Sequence, residues 1–309
     1  FGESAGAVST CALLGVPEAE GLVHRAIVQS GTCAQRSSAM YREQVGDPWV
    51  AASPCAGEAD VAACLRALPV DDVLTNAPTG FPSVAALAQV WSPCVDGITL
   101  PASTLDAMAS GDDVDVPLVV GANAEETARD VPPLDEASFD ALVDATFGPL
   151  AMQVKDAYPL ADYASPTAAY VALSSDVKFI CGARRAARAA IAGAPAFRYH
   201  FSYDGYTVGP SMDASAFHGL ELVYVFGNYE SIMFGPIAYT PNADDEAMSA
   251  WLGEAWTSFA KTGDPSTATL AWPSYARGDD RYAALDLPPS SGDGVRTEQC
   301  DFWDTLVGG

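Results

Sequence analysis

The chain has 309 residues, 49% hydrophobic and 18% charged, which is enough apolar material for a sizeable core and too little charge for a disordered polyelectrolyte. Lys and Arg number 15 against 40 Asp and Glu, a formal charge of −25 that repels phosphate backbones and anionic lipid. Nucleic acid and a charged membrane surface are therefore not expected partners, and no apolar run approaches the ~18 residues of a membrane span.

The chain opens with Phe1-Gly2-Glu3-Ser4-Ala5-Gly6 and continues through small apolar residues over 5–15, the composition of a helix packed closely on a sheet. Residues 24–30, ending at Gly31, read as a short buried strand, and 57–67 and 70–76 as helices. A second buried strand is expected over 116–121, helical patterns over 136–157, and a strong helix former within 176–192. Residues 196–203 alternate as a strand does, 244–261 form a long amphipathic helix stopped by Gly263-Asp264-Pro265, 282–287 read as a late strand and 297–306 as a final helix. The stretches 262–269 and 288–294 are expected as surface loops. Buried strands between helices predict α/β layers about a mostly parallel sheet, in one interlocked domain with excursions at 32–115 and 128–175.

Gly2-x-Ser4-x-Gly6 has the form of a nucleophile elbow. A serine on a sharp strand-to-helix turn sits in a strained backbone conformation, which asks for small flanking residues and aims the next N–H, that of Ala5, at a developing oxyanion. Such a serine needs a base, and the base an orienting acid. Of the three histidines, His24 stands at a strand start and His200 inside an aromatic strand, both structural settings. His218, followed by Gly219 and an apolar helix, sits where a loop reaches a cleft. Between serine and histidine, Gly121-Ala122-Asn123-Ala124-Glu125-Glu126 puts two carboxylates just past the end of a buried strand.

There are seven cysteines, which suggests an oxidising compartment. Cys55 and Cys64 are close enough in sequence for a local staple, whereas the sequence alone does not pair Cys181 with Cys300. No CxxC or Cys/His cluster has zinc spacing, so neither a metal nor a cofactor is expected.

Taken together, these motifs resemble the carboxylesterase type B family, the group of carboxylesterases, cholinesterases, some lipases and catalytically dead neuroligin-like proteins. The serine motif includes Glu3, and Arg25-Ala26-Ile27-Val28-Gln29-Ser30-Gly31 resembles the strand that follows it. Pro93-Cys94-Val95-Asp96-Gly97 is similar to the family's Pro-Val-Val-Asp-Gly segment. The acid loop has Thr127 where the family has glycine, and Phe217-His218-Gly219-Leu220-Glu221-Leu222 matches the histidine motif. Tyr224-Val225-Phe226-Gly227, Trp256, the segment from Phe259 to Pro265, and Cys300-Asp301-Phe302-Trp303 follow in family order.

The resemblance implies an α/β-hydrolase fold spanning residues 1–309, with a mostly parallel central sheet flanked by helices. It implies a serine carboxylic-ester hydrolase acting through Ser4, Glu126 and His218 and an acyl-enzyme, with Ala5 in the oxyanion hole and Glu3, Ser30 and Asp176 in support. Its substrate would be a small-molecule ester, as for a broad carboxylesterase or short-chain lipase, because residues 87–91 offer only Trp91 as a bulky aromatic beside the acyl pocket. The alternatives are a non-catalytic binding or adhesion protein on the same fold and an inactive truncated piece. Relatives carry further sheet strands and the Gly-Gly part of the oxyanion hole ahead of the serine strand, so the sheet is expected to lack that portion. The resemblance also implies Cys55–Cys64 and Cys181–Cys300 disulfides and an extracytoplasmic or secreted location. Cys11, Cys33 and Cys94 are left as expected free thiols, or with a Cys33–Cys94 bridge.

Overall fold

Three of the strands follow apolar runs with Pro or Ser at one or both ends, and the sheet they help build sets the position of everything else. The computed structural model describes residues 1–77, 91–206, 215–230 and 239–307. β1 (Gly2–Glu3), β2 (Ala26–Gln29), β3 (Leu118–Asn123), β4 (Ala196–Phe201), β5 (Arg281–Leu285) and β6 (Ser290–Asp293) lie side by side in sequence order. β1 to β5 run parallel and β6 returns antiparallel on β5. All positions of β2 and β3 are buried, as expected for strands covered on both faces.

One face packs on the helices Leu220–Phe226 and Ala243–Thr262, through a cluster that includes Phe201, Tyr224, Trp256 and Phe259. The other packs on Ala5–Leu14, Thr104–Ser110 and Cys181–Ala190, whose alanines and small residues let the helices lie close to β2, β3 and β4. A third cluster joins Glu136–Phe147, Ala151–Ala157, Pro166–Ser175 and Thr297–Val307 around Tyr158, Tyr170 and Trp303. Among the described residues no helix is long and apolar enough to cross a membrane.

The departures from the sequence reading have local causes. Residues 288–294 are not a loop: Ser290–Asp293 forms β6, whose polar, mostly exposed residues carry no apolar signal. The first of the paired helices starts late, at Val61, because Asp60 caps it by accepting the Ala63 N–H at 2.9 Å. The 136–157 pattern is two helices, broken at Gly148 (φ 51°) and Pro149. The 176–192 helix opens with a π-turn over Asp176–Ile180. Asp96, in the Pro-Cys-Val-Asp-Gly segment, organises its turn by accepting from the N–H groups of Ile98, Thr99 and Leu100.

Cys55–Cys64 and Cys181–Cys300 are bridged. Of the remaining three, Cys94 is a free thiol as expected, whereas Cys11 and Cys33 depart from expectation and form a third disulfide. The reason is the close approach of the first helix to the exit of β2. A Cβ on Gly31 would stand 2.4 Å from the Ala7 Cβ, so the bare glycine lets the two segments meet and brings Cys33 beside Cys11.

Candidate active site

Ser4 follows β1 and precedes the helix Ala5–Leu14, with φ 54° and ψ −117°. That is a strained conformation for a residue with a side chain, costing of order 1–3 kcal/mol. A Cβ on Gly2 would fall 2.3 Å from the Gly6 carbonyl carbon, so Gly2 is required by the turn. Gly6 faces open space, so of the two flanking glycines only the first is dictated by packing here. The Ser4 N–H donates to Gln29 O at 2.9 Å and so closes the turn on β2. Ala5 is the first residue of the helix, where N–H groups lack intrahelical acceptors.

The acid and histidine loops are laced together. Glu126 Oε2 lies 2.5 Å from His218 Nδ1, with Glu126 almost fully buried. Its other oxygen, Oε1, accepts from Ser30 Oγ at 2.5 Å and from the Asn123 N–H at 2.7 Å. Backbone bonds run from Glu125 N to Ala216 O and from His218 N to Glu126 O, both at 3.1 Å. Glu125 Oε2 accepts from the Ala216 N–H, and Asn123 Nδ2 donates to Phe217 O at 2.7 Å. The histidine is thereby fixed by β3 and its following loop, and the Phe179 ring packs against it at 4.8 Å between centroids, the planes tilted by 35°.

His218 Nε2 stands 3.2 Å from Glu3 Oε1. The alignment falls short of a hydrogen bond, and Ser4 Oγ makes no hydrogen bond among the described residues. Burial alone would lower the His218 pKa, but Glu126, then Glu3 and Glu221, outweigh it and push the ring up to about 9. Burial raises the Glu3 carboxyl, an effect His218 opposes. His200 is pushed down to about 3 by burial and by Arg198 and Arg296, which fits a neutral ring inside a strand.

Behind the site runs a polar relay that the motifs alone did not expose. Trp256 Nε1 donates to Gln29 Oε1 at 3.1 Å, Gln29 Nε2 to Glu221 Oε1 at 3.0 Å, and Asn123 Nδ2 to Glu221 Oε2 at 2.6 Å. Burial, with Glu126 and Glu3 nearby, pushes Glu221 up to about 7 while Asn123 opposes the rise. The relay ties β2, β3 and the two helices of one face to the histidine loop. Thr127 is accommodated by two serines: its Oγ1 shares a 2.6 Å bond with Ser174 Oγ, and its N–H donates to Ser175 Oγ at 3.3 Å.

Ser30 bears on Glu126 and not directly on His218. The Asp176 carboxylate takes Arg296 Nε at 2.9–3.0 Å and Tyr158 OH at 2.9 Å. Tyr158 OH in turn accepts from Trp303 Nε1 at 2.8 Å, so Asp176 anchors the C-terminal helix. Of the 87–91 stretch, residues 87–90 lie outside the described residues, and Trp91 is exposed. A cavity of about 620 Å³ opens beside the acid and histidine loops, with Glu125, Arg129, Tyr163 and Phe217 in its walls. No group of three or more His, Cys, Asp or Glu among the described residues could hold a metal ion.

A parallel sheet with a strained serine past one strand, a carboxylate past another and a histidine on a later loop is the architecture of an α/β-hydrolase. The sequence profile of the Carboxylesterase family matches residues 1–303, and the chain belongs to that family. It is 32% identical over 285 residues to the para-nitrobenzyl esterase of Bacillus subtilis, a match covering 89% of this chain and 55% of that protein. It is 26% identical over 341 residues to the acetylcholinesterase of Leptinotarsa decemlineata, covering 99% of this chain and 53% of that protein. Human cocaine esterase is 28% identical over 334 residues, covering 98% and 56%. Among solved structures, a thermophilic PNB esterase superposes with a TM-score of 0.78 at 26% identity, over 98% of this chain and 62% of that one. The chain thus spans about half the length of the relatives it matches.

Proposed function

We propose that this protein is a serine carboxylic-ester hydrolase in which Ser4 is the nucleophile, His218 the general base and Glu126 the acid that orients it. The observation that carries the reading is the 2.5 Å contact of Glu126 Oε2 with His218 Nδ1, beside a serine held at φ 54° on a strand-to-helix turn. With Nδ1 bound to the carboxylate, Nε2 is the nitrogen free to accept a proton, and it faces the segment that carries Ser4.

In this reading His218, once neutral, takes the Ser4 proton as the hydroxyl attacks the ester carbonyl. The Ala5 N–H, at a helix start, stabilises the oxyanion. The alcohol leaves with the proton from His218, and water activated by the same ring releases the acid from the acyl-enzyme. Ester hydrolysis is also what the names of the relatives indicate, and the para-nitrobenzyl esterase makes aryl and benzyl esters sensible first substrates. Broad specificity and an acyl pocket open beside Trp91 belong to the same proposal. Three disulfides support an oxidising, extracytoplasmic setting.

The contact of His218 Nε2 with Glu3 instead of Ser4 favours one other reading, a binding protein on the same fold. Hydrolysis of p-nitrophenyl esters by the intact protein, compared with Ser4→Ala and His218→Ala, separates the two. Turnover lost in both variants supports the hydrolase; equal rates in all three proteins overturn it.

A further inference from the structure

A second concave site lies at the opposite end of the sheet from Ser4. Glu126 and Ser4 follow the C-terminal ends of their strands, whereas this cavity is walled by the end of the helix that precedes β4 and by the turn that precedes β5. Its volume is about 440 Å³. Arg185 and Arg188 of the helix Cys181–Ala190 and Arg277 of the turn converge on it, three of the 15 cationic side chains in a chain of net charge −25.

The charge of the cavity is not cancelled by its own acids. Asp304 is committed to the helix arginines, accepting from Arg185 Nη1 at 3.0 Å and Arg188 Nη1 at 3.1 Å. One carboxylate therefore holds two guanidinium groups in place, and Arg188 Nε is buried with no hydrogen-bond partner. Neighbouring Arg184 is occupied by Asp280 at 2.9 Å and by Asp301, which also stands 3.8 Å from Arg188 Nη2. Arg277 makes no ion pair or hydrogen bond among the described residues. Asp106 is the other acid in the wall, so among the lining side chains the three arginines exceed the two carboxylates by one charge, and of these arginines Asp301 reaches only Arg188, from outside the lining. Leu105, Ala109 and Ala189 supply an apolar side.

Guanidinium groups bind carboxylates and phosphates through paired N–H donors, and prearranged ones lose little entropy in doing so. The volume exceeds that of a bare inorganic ion and the apolar side asks for carbon. We propose that this cavity binds a small organic oxyanion, a phosphate or carboxylate carried on a short apolar body, with Arg277 and Arg188 on the anionic group and Leu105 and Ala109 against the body. The site is independent of ester hydrolysis and stands whether or not Ser4 is a nucleophile.

The test is calorimetric titration of the intact protein with phenyl phosphate, benzoate and inorganic phosphate. Saturable binding of phenyl phosphate or benzoate at one per chain is expected, tighter than that of inorganic phosphate. Arg277→Ala, at an exposed position, weakens it about tenfold, the loss of one charge-assisted hydrogen bond. Asp106→Asn tightens it about threefold by removing a like charge, an opposite sign that general loss of folding does not produce. Prior labelling of Ser4 with a fluorophosphonate leaves the titration unchanged. No saturation up to about 10 mM, affinity unmoved by Arg277→Ala, or binding abolished by the Ser4 label each overturns the proposal. Tighter binding of phenyl phosphate or of benzoate identifies which headgroup the site takes.

Discussion

Ser30 Oγ lies 2.5 Å from Glu126 Oε1, so the carboxylate that contacts His218 through its other oxygen is itself held by a serine from the neighbouring strand end. Ser30 has φ 53° and donates its N–H to Gly121 O at 2.8 Å, which turns its side chain toward the acid loop. Adjacent parallel strands are therefore each followed by a serine with positive φ: Ser4, the proposed nucleophile, and Ser30, which holds Glu126.

Ser30→Ala removes one charge-assisted bond and leaves a cavity of one hydroxyl. The expected result is a loss of about tenfold in kcat with KM little changed, since Glu126 is held less firmly and substrate contacts are untouched. Steady-state kinetics with circular dichroism as a fold control measures it.

Glu126→Gln keeps the size of the side chain but presents an amide where His218 Nδ1 needs an acceptor. Activity is expected to fall roughly 10³-fold or more through the wrong tautomer and the lost stabilisation of imidazolium. Fluorophosphonate labelling of Ser4 slows in parallel.

The pH dependence has a defined sign. The His218 pKa lies above the ordinary 6.5, and only the neutral ring accepts a proton, so kcat/KM rises with pH along a limb centred above 6.5. Glu3→Gln removes a carboxylate facing Nε2 and shifts that limb down by about half a unit. For stability, the charged ring contributes fully below pH 6.5, and the contribution is lost as pH rises through about 9. Thermal melts across that window are expected to show a smaller loss in Glu3→Gln than in the parent.

Replacing Cys11 and Cys33 by alanine opens a link across 22 residues and is expected to cost about 3 kcal/mol of stability. Denaturant melts of the double variant against the parent, each without added reductant, check it.

Much of this was legible because the chemistry is written in short motifs. Ser4, Glu126 and His218 each sit in a segment whose glycines and apolar flanks mark a strand end or a loop. The support around them was less legible because it is assembled across long separations. Asp176 finds Arg296 120 positions away, which no local pattern signals. Phe179, within the π-turn Asp176–Ile180, meets the histidine ring from a segment 39 positions earlier, a contact that no local pattern signals either. Glu221 was visible inside the histidine motif, yet its link to Gln29 and Trp256 depends on three elements meeting. β6 escaped notice because a polar edge strand needs no apolar period, and Cys11–Cys33 because it follows from how closely one helix approaches β2.

The central claim is that Ser4 is an activated nucleophile, and intact mass after reaction with a fluorophosphonate tests it most directly. One adduct per chain, absent in Ser4→Ala and strongly slowed in His218→Ala, is the expected result. A folded protein that takes no adduct, or one that labels equally with alanine at position 4, contradicts the assignment.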